Sequence, residues 1–224
     1  MGSSAASLGN ARERLVRRAA RDIVPGSVVN LGIGLPSKVA EFLPADFPVC
    51  LHTENGLTGL GPAVPLEEAD RNLIDAGGAY VGTVAGAAFF DSVTSFSLVR
   101  SGRLDLSILG AFEVAANGDL ANWKIPGKFS PGPGGAIELA QKAKKVCIVT
   151  THTDRHGNPK LLRQCTLPRT GTACVARVYT DLAVIDVTPA GFLLRERAEG
   201  RTVEEIRAAT GAPLQVAKGP LPVF

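Results

Sequence analysis

Three short stretches of this sequence put reactive or donor groups where an α/β protein could use them. Glu54 follows an apolar run, Val49–His52, and precedes Asn55-Gly56, a strong turn signal, with Gly59 and Gly61 just beyond. Ligands of open α/β sheets bind outside the carboxyl ends of the strands, so a carboxylate there could act as base, metal ligand or nucleophile. A turn acid that only bonds its own backbone through Asn55 and Gly56 would occupy the same place. The second stretch, Gly32-Ile33-Gly34, joins a strand to a helix. A dinucleotide fingerprint would continue Gly-x-Gly-x-x-Gly, but Ser37 stands at its third glycine, so a nicotinamide site is not expected. Both glycines still signal close backbone approach, to a ligand or to a neighbouring element. The third stretch is Gly134-Gly135, directly before a helix that begins at Ala136. Backbone N–H groups there face outward at the positive end of a helix and could bind a phosphate or an oxyanion. A plain turn into the helix is the competing reading.

Other chemistry is thin. Cys50, Cys147, Cys165 and Cys174 form no Cys-x-x-Cys pair, and the first two lie in strand-like runs where cysteine acts as a small hydrophobe. His152 and His156 flank a turn-like Thr-Asp-Arg and, with His52, give no zinc spacing, so no metal site is expected. Arg12, Arg14, Arg17, Arg18 and Arg21 cluster on one helix; a solvated face is expected rather than an anion site.

The elements that must carry these groups alternate. Leu15, Val16, Ala19, Ala20 and Ile23 recur at helical spacing, predicting an amphipathic helix over 11–23 that Pro25-Gly26 ends. Strands are expected at Ser27–Leu31, Val49–His52, Tyr80–Thr83, Leu104–Leu109, Val146–Thr150, Leu182–Val187 and Phe192–Glu196. Helices are expected at Ser37–Leu43 behind Pro36, within Phe89–Arg100, at Ala136–Lys142, and at Val203–Thr210 behind a Thr202/Glu205 capping box. Leu57–Glu68 and Leu120–Gly135 read as Gly- and Pro-rich loops. Strand–helix alternation over one span argues for an α/β domain, a mostly parallel sheet flanked by helices. No repeat or linker divides it. The expected organisation is a disordered tail over 1–10 and a single domain over 11–224.

Composition bounds the function. The chain has 224 residues, 45% hydrophobic, enough for a core without a disulfide or metal staple. Lys and Arg number 24 against 21 Asp and Glu, and aromatics are 5%, so neither a dense basic stripe nor a base-stacking platform is present and nucleic acid is not an expected partner. No apolar run approaches the ~20 residues that span a bilayer. Met1–Asn10 lacks the charged start and apolar stretch of a secretory signal, so a cytoplasmic protein without membrane association is expected.

Longer motifs go further. Asn30-Leu31-Gly32-Ile33-Gly34-Leu35-Pro36 and Thr53-Glu54-Asn55-Gly56-Leu57-Thr58-Gly59-Leu60-Gly61-Pro62 resemble the B (beta) subunit of the 3-oxoacid coenzyme A-transferases. So do Leu109–Val114, Asp119–Trp123, Gly134–Ala136, Cys165–Pro168 and Tyr179–Val184, in order, over about residues 12 to 215. The resemblance implies the CoA-transferase fold, a separate A subunit as partner in a heterodimer or heterotetramer, and coenzyme A as a substrate rather than a bound cofactor. It implies that CoA moves from a donor such as succinyl-CoA to a 3-oxoacid such as acetoacetate or 3-oxoadipate. By the same resemblance Glu54 is the nucleophile, forming a glutamyl-CoA thioester. Gly134, Gly135 and Ala136, with Asn55, Gly32 and Gly34, belong to oxyanion and CoA-substrate binding.

The chemistry suits these residue types. A carboxylate is already an anion at neutral pH and needs no general base to attack a thioester. Its anhydride and thioester intermediates demand exclusion of water, and one well-placed oxyanion donor contributes roughly 3 kcal/mol. Two departures stand out. Asp75-Ala76-Gly77-Gly78 replaces the Asn-Ala-Gly-Lys common in that family, and Phe129-Ser130-Pro131-Gly132-Pro133 replaces a Met-rich stretch. The lost lysine leaves acid specificity open. It also keeps in view a CoA-thioester hydrolase or idle paralogue on the same fold, while the Gly134-Gly135 helix start alone would suit a sugar-phosphate or effector-binding module.

Overall fold

The computed structural model describes the backbone of residues 3–130 and 132–224 and side chains from Asn10 onward. Its first helix, α1 (Ser3–Ala20), begins earlier than the periodicity predicts. Ala5, Ala6 and Leu8 are strong helix formers, so the helix extends through most of the segment expected to be a disordered tail; Met1 and Gly2 lie outside the described residues. It stops before Pro25, which disfavours helical backbone at the residue ahead of it.

Beyond α1 come β1 (Val28–Leu31), a 3₁₀ turn at Pro36–Phe42, β2 (Cys50–Thr53), β3 (Leu57–Ala63), β4 (Val81–Phe89), α2 (Ser92–Arg100) and β5 (Leu106–Leu109). Next are β6 (Glu113–Ala115), β7 (Leu120–Ala121), α3 (Ala136–Lys142), β8 (Val146–Val149) and β9 (Leu161–Leu162). The chain closes with β10 (Val175–Tyr179), β11 (Ala183–Thr188), β12 (Gly191–Arg197), α4 (Val203–Ala208) and β13 (Leu214–Val216). The main sheet runs β13-β12-β11-β10-β8-β5-β1-β2-β3-β4, and β7-β6-β9 form a small second sheet. From β10 through β8, β5 and β1 to β2 every ladder is parallel, while the wings carry antiparallel hairpins. The expected mostly parallel sheet flanked by helices is thus present, with antiparallel margins.

Each face of the sheet has its own core. Leu15, Val16 and Ala19 of α1 pack on Val29, Ile108 and Val149. On the other face Val99, Leu139 and Ile206, from α2, α3 and α4, pack on Leu109, Ile148 and Val178. No described helix is long and apolar enough to cross a membrane.

Two further expectations change. The Gly- and Pro-rich stretch Leu57–Glu68 reads as a loop, yet Leu57–Ala63 is a strand paired with a β4 that runs well past Thr83. The glycines that weaken strand propensity are what this pairing requires. A Cβ on Gly59 would lie 2.8 Å from Ala87 Cα, and one on Gly61 2.8 Å from the Gly82 carbonyl carbon. The α1 arginines are not uniformly solvated. Arg18 is buried, forks onto Glu196 at 2.6 Å through two nitrogens, and reaches Asp22 at 2.7 Å. Arg177 joins Asp22 to Asp186 at 2.6 Å each, and the Tyr179 hydroxyl also donates to Asp22. Glu196 above all holds the Arg18 guanidinium charged. Burial works to raise the Asp22 pKa, but donors from Tyr179, Arg18 and Arg177 hold it below the usual carboxylate range. The network pins α1 to the antiparallel wing.

Candidate active site

Glu54 is the first residue beyond β2, and β2 lies beside β1 in parallel register with Asn30 opposite His52. Asn30 and His52 are both buried. Asn30 Nδ2 donates to Glu54 Oε2 at 2.9 Å and lies 3.1 Å from the His52 carbonyl oxygen. The amide thereby fixes one carboxylate oxygen at the carboxyl edge of the sheet. His52 Nε2 meets Ser95 Oγ of α2 at 3.0 Å. Burial lowers the His52 pKa, against the opposing pull of the Glu54 carboxylate.

The turn after Glu54 is set by sterics. Gly56 has φ +123°, and a Cβ there would strike the Phe90 carbonyl oxygen at 2.1 Å. Its N–H closes the turn on the Thr53 carbonyl at 3.1 Å. The Thr53 hydroxyl donates to Asn55 Oδ1 at 2.6 Å and accepts from the Ala76 N–H at 3.1 Å. Asn55 Nδ2 donates to the Ile74 carbonyl at 2.9 Å. Asn55 therefore braces the turn and ties it to the 74–79 loop. There Asp75 Oδ1 accepts from the Gly77 and Ala79 N–H groups at 2.8 Å each, and Gly78 has φ +83°.

The opposite wall comes from the loop before α3. Gly135 lies on the Glu54 side chain: a Cβ there would be 2.9 Å from Glu54 Cγ and 3.2 Å from Phe96 Cζ. Gly135 is the N-cap of α3 in right-handed helical backbone, φ −75° and ψ −7°, whereas Gly134 takes φ +52°. The Gly135 N–H has no hydrogen-bond partner among the described residues, but the Ala136 N–H donates to the Pro133 carbonyl at 3.1 Å. Arg100 of α2 bridges to Glu138 of α3 at 3.0 Å, tying together the two helices that carry Phe96 and Gly135.

Gly135 and Asn55 thus adjoin Glu54, whereas a Cβ on Gly134 would meet nothing within 4 Å, so Gly134 shapes the turn ahead of Gly135 rather than touching the carboxylate. Gly32 and Gly34 stand on the same edge but mainly serve the fold. A Cβ on Gly32 would press on Leu109 Cδ2 at 3.2 Å, and Gly34 provides a left-handed turn at φ +88°. Ile33, between them, faces the Gly77 loop.

Asn30, His52 and Ser95 join the site without having been expected there. The signal was a polar Asn inside Val-Val-Asn-Leu, a buried strand where an amide needs a partner. The other motif acids prove architectural. Glu113 accepts from the Thr166 N–H, the Thr166 hydroxyl and the Leu167 N–H at 2.6–2.9 Å. Asp119 takes the Ala173 N–H at 2.9 Å and Arg169 at 3.0 Å.

Known proteins match this chain over nearly its whole length. The coenzyme A transferase family model matches residues 12–209. The chain is 49% identical over 204 residues to the beta component (B) of the 3-oxoadipate CoA-transferase of Acinetobacter baylyi, covering 91% of this chain and 94% of that one. It is 44% identical over 209 residues to the human mitochondrial succinyl-CoA:3-ketoacid coenzyme A transferase 2, covering 92% of this chain but only 40% of that longer polypeptide. Among solved structures, an acyl-CoA transferase of Escherichia coli O157:H7 matches with a TM-score of 0.76 at 23% identity, over 95% of this chain and 43% of that one, a likeness of fold.

Proposed function

Because the chain belongs to the coenzyme A transferase family of enzymes, we propose that it is the beta half of a heteromer in which Glu54 carries coenzyme A between two carboxylic acids. The observation that carries this reading is the Glu54 carboxylate itself. One oxygen is fixed by Asn30, the side chain lies against Gly135, and the whole stands at the carboxyl edge of a parallel sheet.

With Oε2 engaged by Asn30, Oε1 attacks the thioester carbonyl of the donor. The C–S bond breaks, giving a Glu54 acyl anhydride and CoA thiolate. The thiolate attacks the Glu54 carbonyl carbon, the donor acid leaves as carboxylate, and a glutamyl-CoA thioester remains. The acceptor carboxylate attacks that thioester and expels thiolate, which takes the acceptor's acyl group and frees Glu54. Each tetrahedral intermediate needs an oxyanion donor. The Gly135 N–H is the group this arrangement offers, while Ala136, expected to share the role, has its N–H committed to Pro133. Succinyl-CoA is the donor we assign, and a 3-oxoacid, acetoacetate or 3-oxoadipate, the acceptor. The activities by which the Acinetobacter and human relatives are named support that class. The partner we assign is an A subunit, in keeping with the Acinetobacter relative being one component of a larger enzyme.

The test is mass spectrometry of the assembled complex, quenched during turnover with acyl-CoA. A CoA adduct on the peptide containing Glu54, lost in Glu54→Gln together with transfer, is expected. An adduct elsewhere, or undiminished transfer by Glu54→Gln, overturns the reading. Release of free acid and thiol without an acceptor would make the protein a hydrolase instead.

A further inference from the structure

The arginines of α1 frame a cavity that the chemistry at Glu54 does not use. Arg14, Arg17 and Arg18 of the helix, with Arg21 just beyond it, recur at helical spacing and line a cavity of about 270 Å³. Glu199, two residues past β12, and Phe224, whose N–H donates to the Arg197 carbonyl at 3.2 Å, line it from the antiparallel wing. Two of the four guanidinium groups are engaged: Arg17 bridges to Glu13, and Arg18 to Glu196 and Asp22. The other two are not. Among the described residues Arg14 Nε is buried without a hydrogen-bond partner, and Arg21, which is exposed, makes no ion pair. The negative end of a helix favours cations in its last turn, which accounts for Arg17 and Arg18. It does not account for a bare buried nitrogen on Arg14, since a buried donor without an acceptor is costly, and more so on a charged group. Glu13 and Glu199 offset only part of the charge of the four arginines.

We propose that this cavity binds a small anion of the diphosphate class, with Arg14 and Arg21 as its principal ligands, and that the bound anion clamps α1 to the antiparallel wing. Guanidinium forks match the oxygens of phosphate groups two at a time. Arg14 and Arg21 stand seven residues apart, about two helical turns or roughly 10 Å along the axis. One phosphate between them would serve one fork well and the other poorly, whereas two linked phosphates serve both. The site is separate from the nucleophile: β12 lies six places from β2 in the main sheet, roughly 29 Å at the usual strand spacing. A ligand that meets Arg18 there touches the same guanidinium that joins Asp22 to Glu196.

Titration calorimetry and thermal melting of the full chain with inorganic pyrophosphate test this, at an ionic strength held constant with sodium chloride. Saturable binding is expected, with a melting point raised by about 5–10 °C at a hundredfold excess over Kd. Arg14→Gln and Arg21→Gln should each weaken binding at least tenfold. Arg71→Gln, which removes an exposed charge from the turn ahead of the 74–79 loop, should not. Arg21→Gln, at an exposed position, keeps the test open should Arg14→Gln fail to fold. No saturable binding, or equal weakening by Arg71→Gln, overturns the site. Orthophosphate binding as tightly as pyrophosphate overturns the two-group ligand, and glutarate binding more tightly than pyrophosphate overturns the diphosphate class.

Discussion

Gly135 and Glu54 touch: a Cβ on residue 135 would lie 2.9 Å from Glu54 Cγ, inside any tolerable carbon–carbon contact. The glycine is needed for space, not for conformation, because its φ of −75° suits any residue. Gly135→Ala should therefore fold with essentially unchanged thermal stability while Glu54 is pushed from its place. A displacement near 1 Å costs on the order of a hundredfold in rate. We expect kcat for transfer to fall by about that factor, measured beside an unaltered melting curve. Wild-type kcat in this variant would show that the carboxylate is placed by something else.

Asn30 makes the complementary prediction. Its amide fixes Glu54 Oε2 and lies near the His52 carbonyl, so Asn30→Ala leaves buried acceptors bare, at about 1–3 kcal/mol of stability. Transfer should slow roughly tenfold to a hundredfold through loss of orientation. KM for the CoA ester should hardly move. Steady-state kinetics of the assembled complex separate the two parameters, and a pure KM effect would contradict a positioning role.

The α1 network predicts a stability effect remote from chemistry. Asp22→Ala removes the acceptor shared by Arg18, Arg177 and Tyr179, leaving Arg18 to Glu196, Arg177 to Asp186, and the buried Tyr179 hydroxyl without that acceptor. The loss should be about 1–3 kcal/mol, seen as a melting point lower by roughly 2–12 °C. A shift under a degree would show that the network is energetically neutral.

His152 predicts acid lability. Its ring is buried between the Thr180 and Thr210 hydroxyls at 2.9 Å each, and burial lowers its pKa from 6.5 to about 4. Between those values the unfolded chain binds the extra proton. The contribution is therefore fully present above pH 6.5, shrinks as pH falls, and is gone near pH 4; it amounts to about 3 kcal/mol. Urea midpoints at pH 7.5 and 5 should differ in the wild type, and the difference should shrink in His152→Gln. An equal difference in both proteins would place the acid sensitivity elsewhere.

Much of the fold was legible in the residues. The Thr202/Glu205 capping box forms both of its reciprocal bonds, α3 begins and ends where the sequence indicates, and the central strands appear within two residues of expectation. Short pieces were lost where local pattern is weak. Val175–Tyr179 joins the parallel centre, yet its interior Arg177 breaks an apolar run. Among the described residues that arginine is satisfied by Asp22 and Asp186, of which Asp22 is distant in sequence. Strand β3 was hidden because its glycines answer a partner strand rather than a turn. At the site, Glu54 and its Asn-Gly turn were readable. Gly135 was readable as a donor ahead of a helix, but its contact with Glu54, like that of Asn30, arises only when β1 and α3 converge on β2, which no local spacing encodes.

The 75–78 turn carries a consequence for engineering. Gly78 has φ +83°, and Asp75 locks the loop through two backbone donors. Installing a lysine at position 78 would force a residue with a Cβ into left-handed backbone, at about 1–3 kcal/mol. A cationic side chain at this position therefore brings a backbone cost of its own, so the charge of the turn and its shape change together.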